Sequence, residues 1–332
     1  MKKLFVALMV ILAMTSCNSF KIKVNLDNSN GKTVSLQRYN KDQLETLQTV
    51  VVKNNKAVFK VKENENLDAY MIMLNGWRRP LTFFADNQDV MISGDCQKYN
   101  EIKIEASESQ QDLDNFMKQA AEIENDEDLY YFVLDFAKYN VENPLGIYVM
   151  YRYKWLFPEY DLKMYLGNVP KELVSGYKDL VYNYLLAVRR TNPGQKYIDF
   201  TQKTVDGDDF TLSQFIGQAK VVILDFWASW CPDCRKANPA LVEVYKKFNN
   251  KGLDIVSVSL DTDATAWKNA IEKDNLNWKN HVSDLKGWDN AVAQKYTIVF
   301  IPQNIIIDQD GKIIEKNVPM EKMEAYIESV LK

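Results

Sequence analysis

The feature that most constrains this chain is a short apolar run, Val221-Val222-Ile223-Leu224, followed closely by Cys231-Pro232-Asp233-Cys234. A strand with no polar alternation has both faces buried, which places it inside a sheet covered by helices on each side. The later segments agree with that placement. Leu241, Val244, Tyr245 and Phe248 recur at helical intervals, and Ile255 through Leu260 read as another strand. A helix is expected around Ala264 to Glu272. Asn304-Ile305-Ile306-Ile307 and Lys312-Ile313-Ile314 flank Asp310-Gly311, which marks an antiparallel hairpin. Met323, Ile327 and Val330 stripe a closing helix. The expected C-terminal domain, residues 195–332, is therefore α/β, a mixed central sheet with helices on both faces. It begins after the turn Thr191-Asn192-Pro193-Gly194.

Two cysteines three positions apart at a helix start can form an accessible disulfide. Unpaired amides and the helix dipole there favour a thiolate on the first cysteine. Exchange needs a second thiol to resolve the mixed disulfide made by the first. Cys231, nearer the helix start, is assigned attack and Cys234, one turn inside, resolution. Zinc also uses this spacing, but as half of a four-ligand set. Only Cys17, Cys96 and His281 remain as other soft ligands, so no metal and no cofactor is expected. A structural disulfide stays open, although closing so short a loop constrains little chain entropy.

Composition removes other classes. The 41 basic and 45 acidic residues are interspersed and the net charge is -4, which argues against a nucleic-acid partner. Neither a GxxxxGK[ST] run nor a GxGxxG opening a helix is present, so nucleotide binding has no support.

The segment Leu224-Asp225-Phe226-Trp227-Ala228-Ser229-Trp230-Cys231-Pro232-Asp233-Cys234 resembles the active-site segment of the thioredoxin superfamily. It is most similar to extracytoplasmic, membrane-anchored thiol-disulfide oxidoreductases with a W-C-P-x-C motif, over roughly residues 199–332. Val299-Phe300-Ile301-Pro302 matches the family's cis-proline loop, although Gln303 departs from the usual Thr. The resemblance implies a cis Ile301–Pro302 bond beside Cys231, with Trp230, Pro232, Ile301 and Pro302 touching substrate. It also implies a buried aspartate at Asp225, as the strand pattern does. Desolvation would raise its pKa and let it accept a proton from Cys234. An Asp225 that merely ends a strand and bonds to backbone amides is the alternative. Peroxiredoxins share the fold, but Trp230 before Cys231 and Cys234 after it do not match their P-x-x-x-T/S-x-x-C pattern.

The chain of 332 residues has room for two domains. Lys2 and Lys3 precede an apolar run from Leu4 to Met14, too short to span a bilayer but suited to secretion. It ends at Ala13-Met14-Thr15-Ser16-Cys17, which resembles a bacterial lipoprotein signal; a plain secretory peptide is the alternative. Residues 1–16 are then a signal peptide and Cys17 the lipidated first residue of the mature chain. Residues 17–106 read as a mainly antiparallel β domain, similar to one accompanying such lipoproteins in Bacteroidetes. Val50-Val51-Val52 and Ala57-Val58-Phe59 flank Asn54-Asn55 as an expected hairpin. Cys96 is expected to be buried at a strand end, with intermolecular pairing as the alternative. Residues 107–192 read as a helical region packing between the domains. Ser109 and Asp112 are expected to start its first helix, with others over Leu129–Tyr139, Ile147–Leu156 and Lys171–Arg189. Pro144, Pro158 and Pro170 separate them.

Together these readings imply an enzyme that exchanges thiols with protein disulfides outside the cytoplasm, as reductant or isomerase. It would be lipid-anchored, facing the periplasm, and served by a membrane electron donor. An anchored binding or scaffolding lipoprotein and a thiol peroxidase remain as alternatives.

Overall fold

The computed structural model describes residues 19–63 and 67–331; the expected signal peptide and Cys17 lie outside the described residues. The chain divides into two units, one extending to Tyr182 and one beginning at Asn183.

The first unit opens with two four-stranded sheets. One contains β1 (Ser19–Asp27), β4 (Lys56–Lys62), β7 (Val90–Asp95) and β8 (Lys103–Glu105), in the order β4-β1-β7-β8. The other contains β2 (Thr33–Asn40), β3 (Gln43–Val51), β5 (Tyr70–Leu74) and β6 (Leu81–Phe83), in the order β3-β2-β5-β6. Pairing is antiparallel except between β1 and β7. Strict alternation along β1 buries Phe20, Ile22, Val24 and Leu26 in a core shared with Leu36, Phe59, Ile72 and Phe83. Each such side chain contributes about 1.5–3 kcal/mol on burial.

Asn54 and Asn55 both take positive φ, 51° and 63°, as a tight turn requires. The strands they join nevertheless part into different sheets, β3 pairing with β2 and β4 with β1. The expected hairpin is a corner between sheets, held by mutual backbone hydrogen bonds of Lys53 and Lys56. Cys96 follows β7 and is buried without a cysteine partner, its Sγ 3.1 Å from the Asn28 carbonyl oxygen.

Helices α1 (Glu108–Ala120), α2 (Asp126–Tyr139), α3 (Pro144–Arg152), α4 (Glu159–Asn168) and α5 (Gly176–Arg190) come next. The α1 cap is Ser107, whose hydroxyl accepts from the Gln110 amide at 3.3 Å; Ser109 lies within the helix. Two of the prolines expected as separators also begin the helix that follows. Pro144 occupies the first turn of α3 and Pro158 is the N-cap of α4, positions where proline's missing N–H costs nothing. The expected helix from Lys171 starts at Gly176, whose amide donates to Asp68 at 2.9 Å. The aromatic residues of this region pack on each other. Phe116 lies 5.0 Å from Phe132, and Tyr148 and Tyr151 lie 5.0 and 5.1 Å from Tyr177.

The second unit contains β9 (Thr201–Thr204), β10 (Asp209–Thr211), β11 (Val221–Trp227), α6 (Pro232–Phe248), β12 (Leu253–Ser259), α7 (Ala264–Lys273), β13 (Asn280–Ser283), α8 (Ala291–Lys295), β14 (Gln303–Asp308), β15 (Ile313–Lys316) and α9 (Met320–Val330). The sheet order is β10-β9-β13-β12-β11-β14-β15. β11, β12 and β13 run parallel, and the remaining pairs are antiparallel. All seven residues of β11 are buried, as expected of a strand covered by helices on both faces. The β14–β15 turn needs Gly311 at φ 81°. A Cβ there would also meet the Tyr197 ring at 2.7 Å. This is the expected thioredoxin-like architecture, a mixed sheet between helices, preceded by a β-rich domain and a helical segment.

Candidate active site

β11 is an interior strand of the sheet, between β12 and β14, and its C-terminal end delivers the following loop onto the start of α6. Cys231 is the N-cap of α6 and Pro232 opens the helix, a residue type suited to the first turn. Cys231 and Cys234 form a disulfide with a Cα–Cα distance of 5.3 Å. The Cys234 amide donates to Cys231 Sγ at 3.1 Å, so a helix-terminal N–H is aimed at the first sulfur. Cys231 is 5% exposed and Cys234 1%; the first cysteine is the more accessible residue, though both are buried. Pro232 and Asp233 are exposed beside them.

The Ile301–Pro302 peptide is cis, and the Ile301 carbonyl oxygen lies 3.8 Å from Cys231 Sγ. Trp230 stands half exposed, with its indole N–H donating to the Leu260 carbonyl at 3.3 Å. Its ring lies 6.3 Å from that of Trp288, also exposed. Exposed Phe300 precedes Ile301. Neither Trp288 nor Phe300 stands out from sequence as a candidate contact. The signal available was an aromatic beside the proline loop and another in a turn, neither part of any period.

Asp225 faces Ser257 on β12 and Asn304 on β14 across the ladder. Ser257 Oγ donates to its Oδ2 at 2.9 Å. Burial pushes the carboxyl up to about 7, against the opposing effect of the Ser257 hydrogen bond. A cavity of about 320 Å³ is lined by Asp225, Cys234, Trp227, Leu241, Phe300 and Pro302, among others. The acid and the inner cysteine therefore share one solvent-reachable space. A larger cavity, about 510 Å³, lies between α2 and α4 in the first unit and holds no cysteine.

A polar clamp fixes the loop before the cysteines. Asp261 accepts from the Ser229 amide at 3.0 Å, from the Ser229 hydroxyl, and from Ser259 Oγ at 2.7 Å. Arg235, adjacent to Cys234, makes a two-pronged ion pair with Asp274 and donates to the Ser229 carbonyl at 3.1 Å. Asn238 adds a bond to Asp274 at 2.7 Å. Bidentate geometry of this kind orients as well as stabilises. Among the described residues no group of three potential metal ligands occurs.

Two family models match the chain, one for the AhpC/TSA family over residues 193–316 and one for a domain of unknown function over residues 20–113. The chain is 30% identical over 140 residues to a thiol-disulfide oxidoreductase ResA of Bacillus cereus, covering 41% of this chain and 78% of that protein. It is 29% identical over 154 residues to the ResA of Bacillus thuringiensis subsp. konkukian, covering 46% and 86%. Among solved structures, the thioredoxin domain of a thiol-disulfide oxidoreductase from Bacteroides vulgatus matches at 33% identity. Its TM-score is 0.40, with 42% of this chain and 99% of that one covered. A thiol-disulfide oxidoreductase from Bacteroides fragilis matches at 30% identity and a TM-score of 0.39, covering 41% and 99%.

Proposed function

Because the chain belongs to the thiol-disulfide oxidoreductase family of ResA, we propose that it reduces or isomerises protein disulfides outside the cytoplasm, with Cys231 attacking and Cys234 resolving. The observation that carries this reading is the Cys231–Cys234 pair at the α6 N-terminus, against the cis Ile301–Pro302 peptide and beside the cavity shared with Asp225.

In the reduced enzyme the Cys231 thiolate, favoured by the Cys234 amide and the helix terminus, attacks one sulfur of a client disulfide. An S–S bond forms between enzyme and client as the client's own S–S bond breaks and its other sulfur leaves as a thiolate. Cys234 then gives its proton to the Asp225 carboxylate, and the resulting thiolate attacks Cys231 Sγ. The mixed disulfide breaks and the second client sulfur departs. The client gains two electrons and the enzyme loses two, which returns it to the disulfide state seen here. Trp230, Pro232, Ile301 and Pro302, with exposed Trp288 and Phe300, form the rim that an extended client would touch.

Residues 1–16 are proposed as a secretion signal and Cys17 as the lipidated anchor, which would hold the enzyme at a membrane facing the periplasm. A membrane donor would return electrons to the disulfide. The β-rich unit would position the client or partner. No helix among the described residues is long and apolar enough to cross a membrane.

The direct test is thiol-dependent insulin reduction by the fragment lacking residues 1–17, compared with Cys231→Ser and Cys234→Ser. Cys231→Ser should lose exchange, and Cys234→Ser should attack and accumulate mixed disulfide. Equal trapping by both variants refutes the division of roles, and reduction no faster than buffer refutes the enzyme reading. The reduction potential of the pair separates directions: about -270 mV marks a reductant and about -120 mV an oxidant.

A further inference from the structure

Behind Asp225 lies a second layer of hydrogen bonding that the exchange reaction itself does not require. Trp278 Nε1 is 3.0 Å from Ser257 Oγ, and Ser257 Oγ is 2.9 Å from Asp225 Oδ2. All three groups are buried, Ser257 fully and Trp278 at 3% exposure. An indole N–H can only donate, whereas a hydroxyl has one proton and two lone pairs. Ser257 Oγ must therefore accept from Trp278, and its single proton is left for Asp225. We propose that Ser257 is a positioning residue for the resolving step, its hydroxyl proton aimed at Asp225 by the Trp278 indole so that the carboxylate stays available to accept the Cys234 proton. The proposal rests on the role given to Asp225 above.

The indole is itself held in place. It packs edge-on to Tyr245 at 5.5 Å and stacks on His281 at 5.3 Å. His281 Nε2–H donates to the Leu276 carbonyl at 3.0 Å, and burial pushes its pKa down to about 4, so it carries no charge near neutral pH. Asn304 is the ladder partner of Asp225 on β14, and the amide and cysteine side chains that share its cavity are Asn304, Cys234, Asn238 and Asn317. Among these only Cys234 is ionisable, and only once the disulfide is reduced, so no fixed charge among them competes with the hydroxyl for control of the acid. A donor to the ionised carboxylate lowers its proton affinity. Burial alone would hold Asp225 protonated to higher pH, where it is occupied and cannot take the thiol proton.

The test is single-turnover resolution of a preformed mixed disulfide on the full chain, followed across pH 5.5 to 9.5. Wild type, Asp225→Asn, Ser257→Ala, Ser257→Thr and Trp278→Phe are compared. Asp225→Asn should remove the acid-dependent limb of the profile. Ser257→Ala should move its midpoint alkaline by about one pH unit, the tenfold change in proton affinity expected for one charge-assisted hydrogen bond. Trp278→Phe should move it the same way by less, and Ser257→Thr, which keeps the hydroxyl, should restore it. Attack by Cys231 should be unchanged in all of them. An unaltered profile in Asp225→Asn refutes the role of Asp225 and this proposal with it. A profile altered by Asp225→Asn but with its midpoint unmoved in both Ser257→Ala and Trp278→Phe overturns the proposal alone.

Discussion

Asp225→Asn replaces a buried ionisable group by a neutral one of nearly the same size, so its effect on stability must depend on pH. Burial raises the carboxyl from 3.8 to about 7 in the folded protein. The unfolded chain keeps a value near the ordinary one, and each pH unit of difference corresponds to about 1.4 kcal/mol. The folded pKa lies above the unfolded one. The stabilising contribution is therefore fully present below about pH 4 and is lost as pH rises through about 7, then stays lost. The total change is about 4 kcal/mol, a large part of a typical domain stability of about 5–15 kcal/mol. The new amide brings an unpaired donor that costs about 1–3 kcal/mol at every pH, so the informative quantity is the slope rather than the offset. Urea unfolding of the oxidised protein from pH 4 to 9 measures it. Tryptophan fluorescence follows the relevant unit because five of the seven tryptophans, Trp227, Trp230, Trp267, Trp278 and Trp288, lie in it. The variant should gain about 4 kcal/mol on wild type between pH 4 and 8, with all other titrations cancelling in the difference. A difference that stays constant across this range refutes the account of Asp225 as a desolvated acid.

The remaining predictions concern the supports of the site and the two cores. Arg235→Ala should cost about 1.5–3 kcal/mol, the range for hydrogen bonds to charged groups. Burial of Asp274 raises its pKa, but bonds from Arg235 and Asn238 outweigh this and hold it low. The loss seen in Arg235→Ala should therefore be full above about pH 4 and shrink as acid protonates the carboxylate; urea titrations at pH 3 and 7 check both. Ile306→Ala, at a fully buried position of β14, should lower stability by about 2–5 kcal/mol and Ile306→Val by about 0.5–1.5 kcal/mol, measured by the same unfolding. Cys96→Ser should leave the non-reducing gel pattern of the chain lacking residues 1–17 unchanged, because the thiol is buried against Asn28; a dimer band lost in the variant contradicts this.

Local period was enough to find most elements. The unbroken apolar run Val221–Leu224 became β11, and alternation at Phe20, Ile22, Val24 and Leu26 became the core face of β1. Where sequence misled, one residue type had two meanings. Proline stops a helix that precedes it and opens one that comes after, and Pro144 and Pro158 took the second role. That ambiguity hid α4 entirely. Asn54 and Asn55 did form a turn of the hairpin kind, but turn chemistry specifies how the chain reverses, not which neighbour each strand adopts. The sequence placed the cap of α1 at Ser109, two residues too late. Ser107 holds that position, and its hydroxyl also donates to the Phe84 carbonyl, a contact no local pattern records.

The sequence by itself determined the two cysteines, their spacing and their place after a buried strand, because each is a local property of a few consecutive residues. It also pointed to Asp225, since one charge in an apolar run stands out without any partner being known. Only the tertiary structure decided what surrounds them. Ser257 reaches Asp225 across 32 positions, Trp278 reaches Ser257 across 21, Arg235 reaches Asp274 across 39, and Ile301 reaches Cys231 across 70. Serine, tryptophan and arginine are unremarkable in their own segments, and no period marks them. They become a hydrogen-bond relay and a loop clamp when strand order sets β12 beside β11 and brings Asp274, at the end of α7, to Arg235 in the first turns of α6. Burial then supplies the energetic weight, because a hydroxyl or carboxylate removed from water must find its partner within the protein.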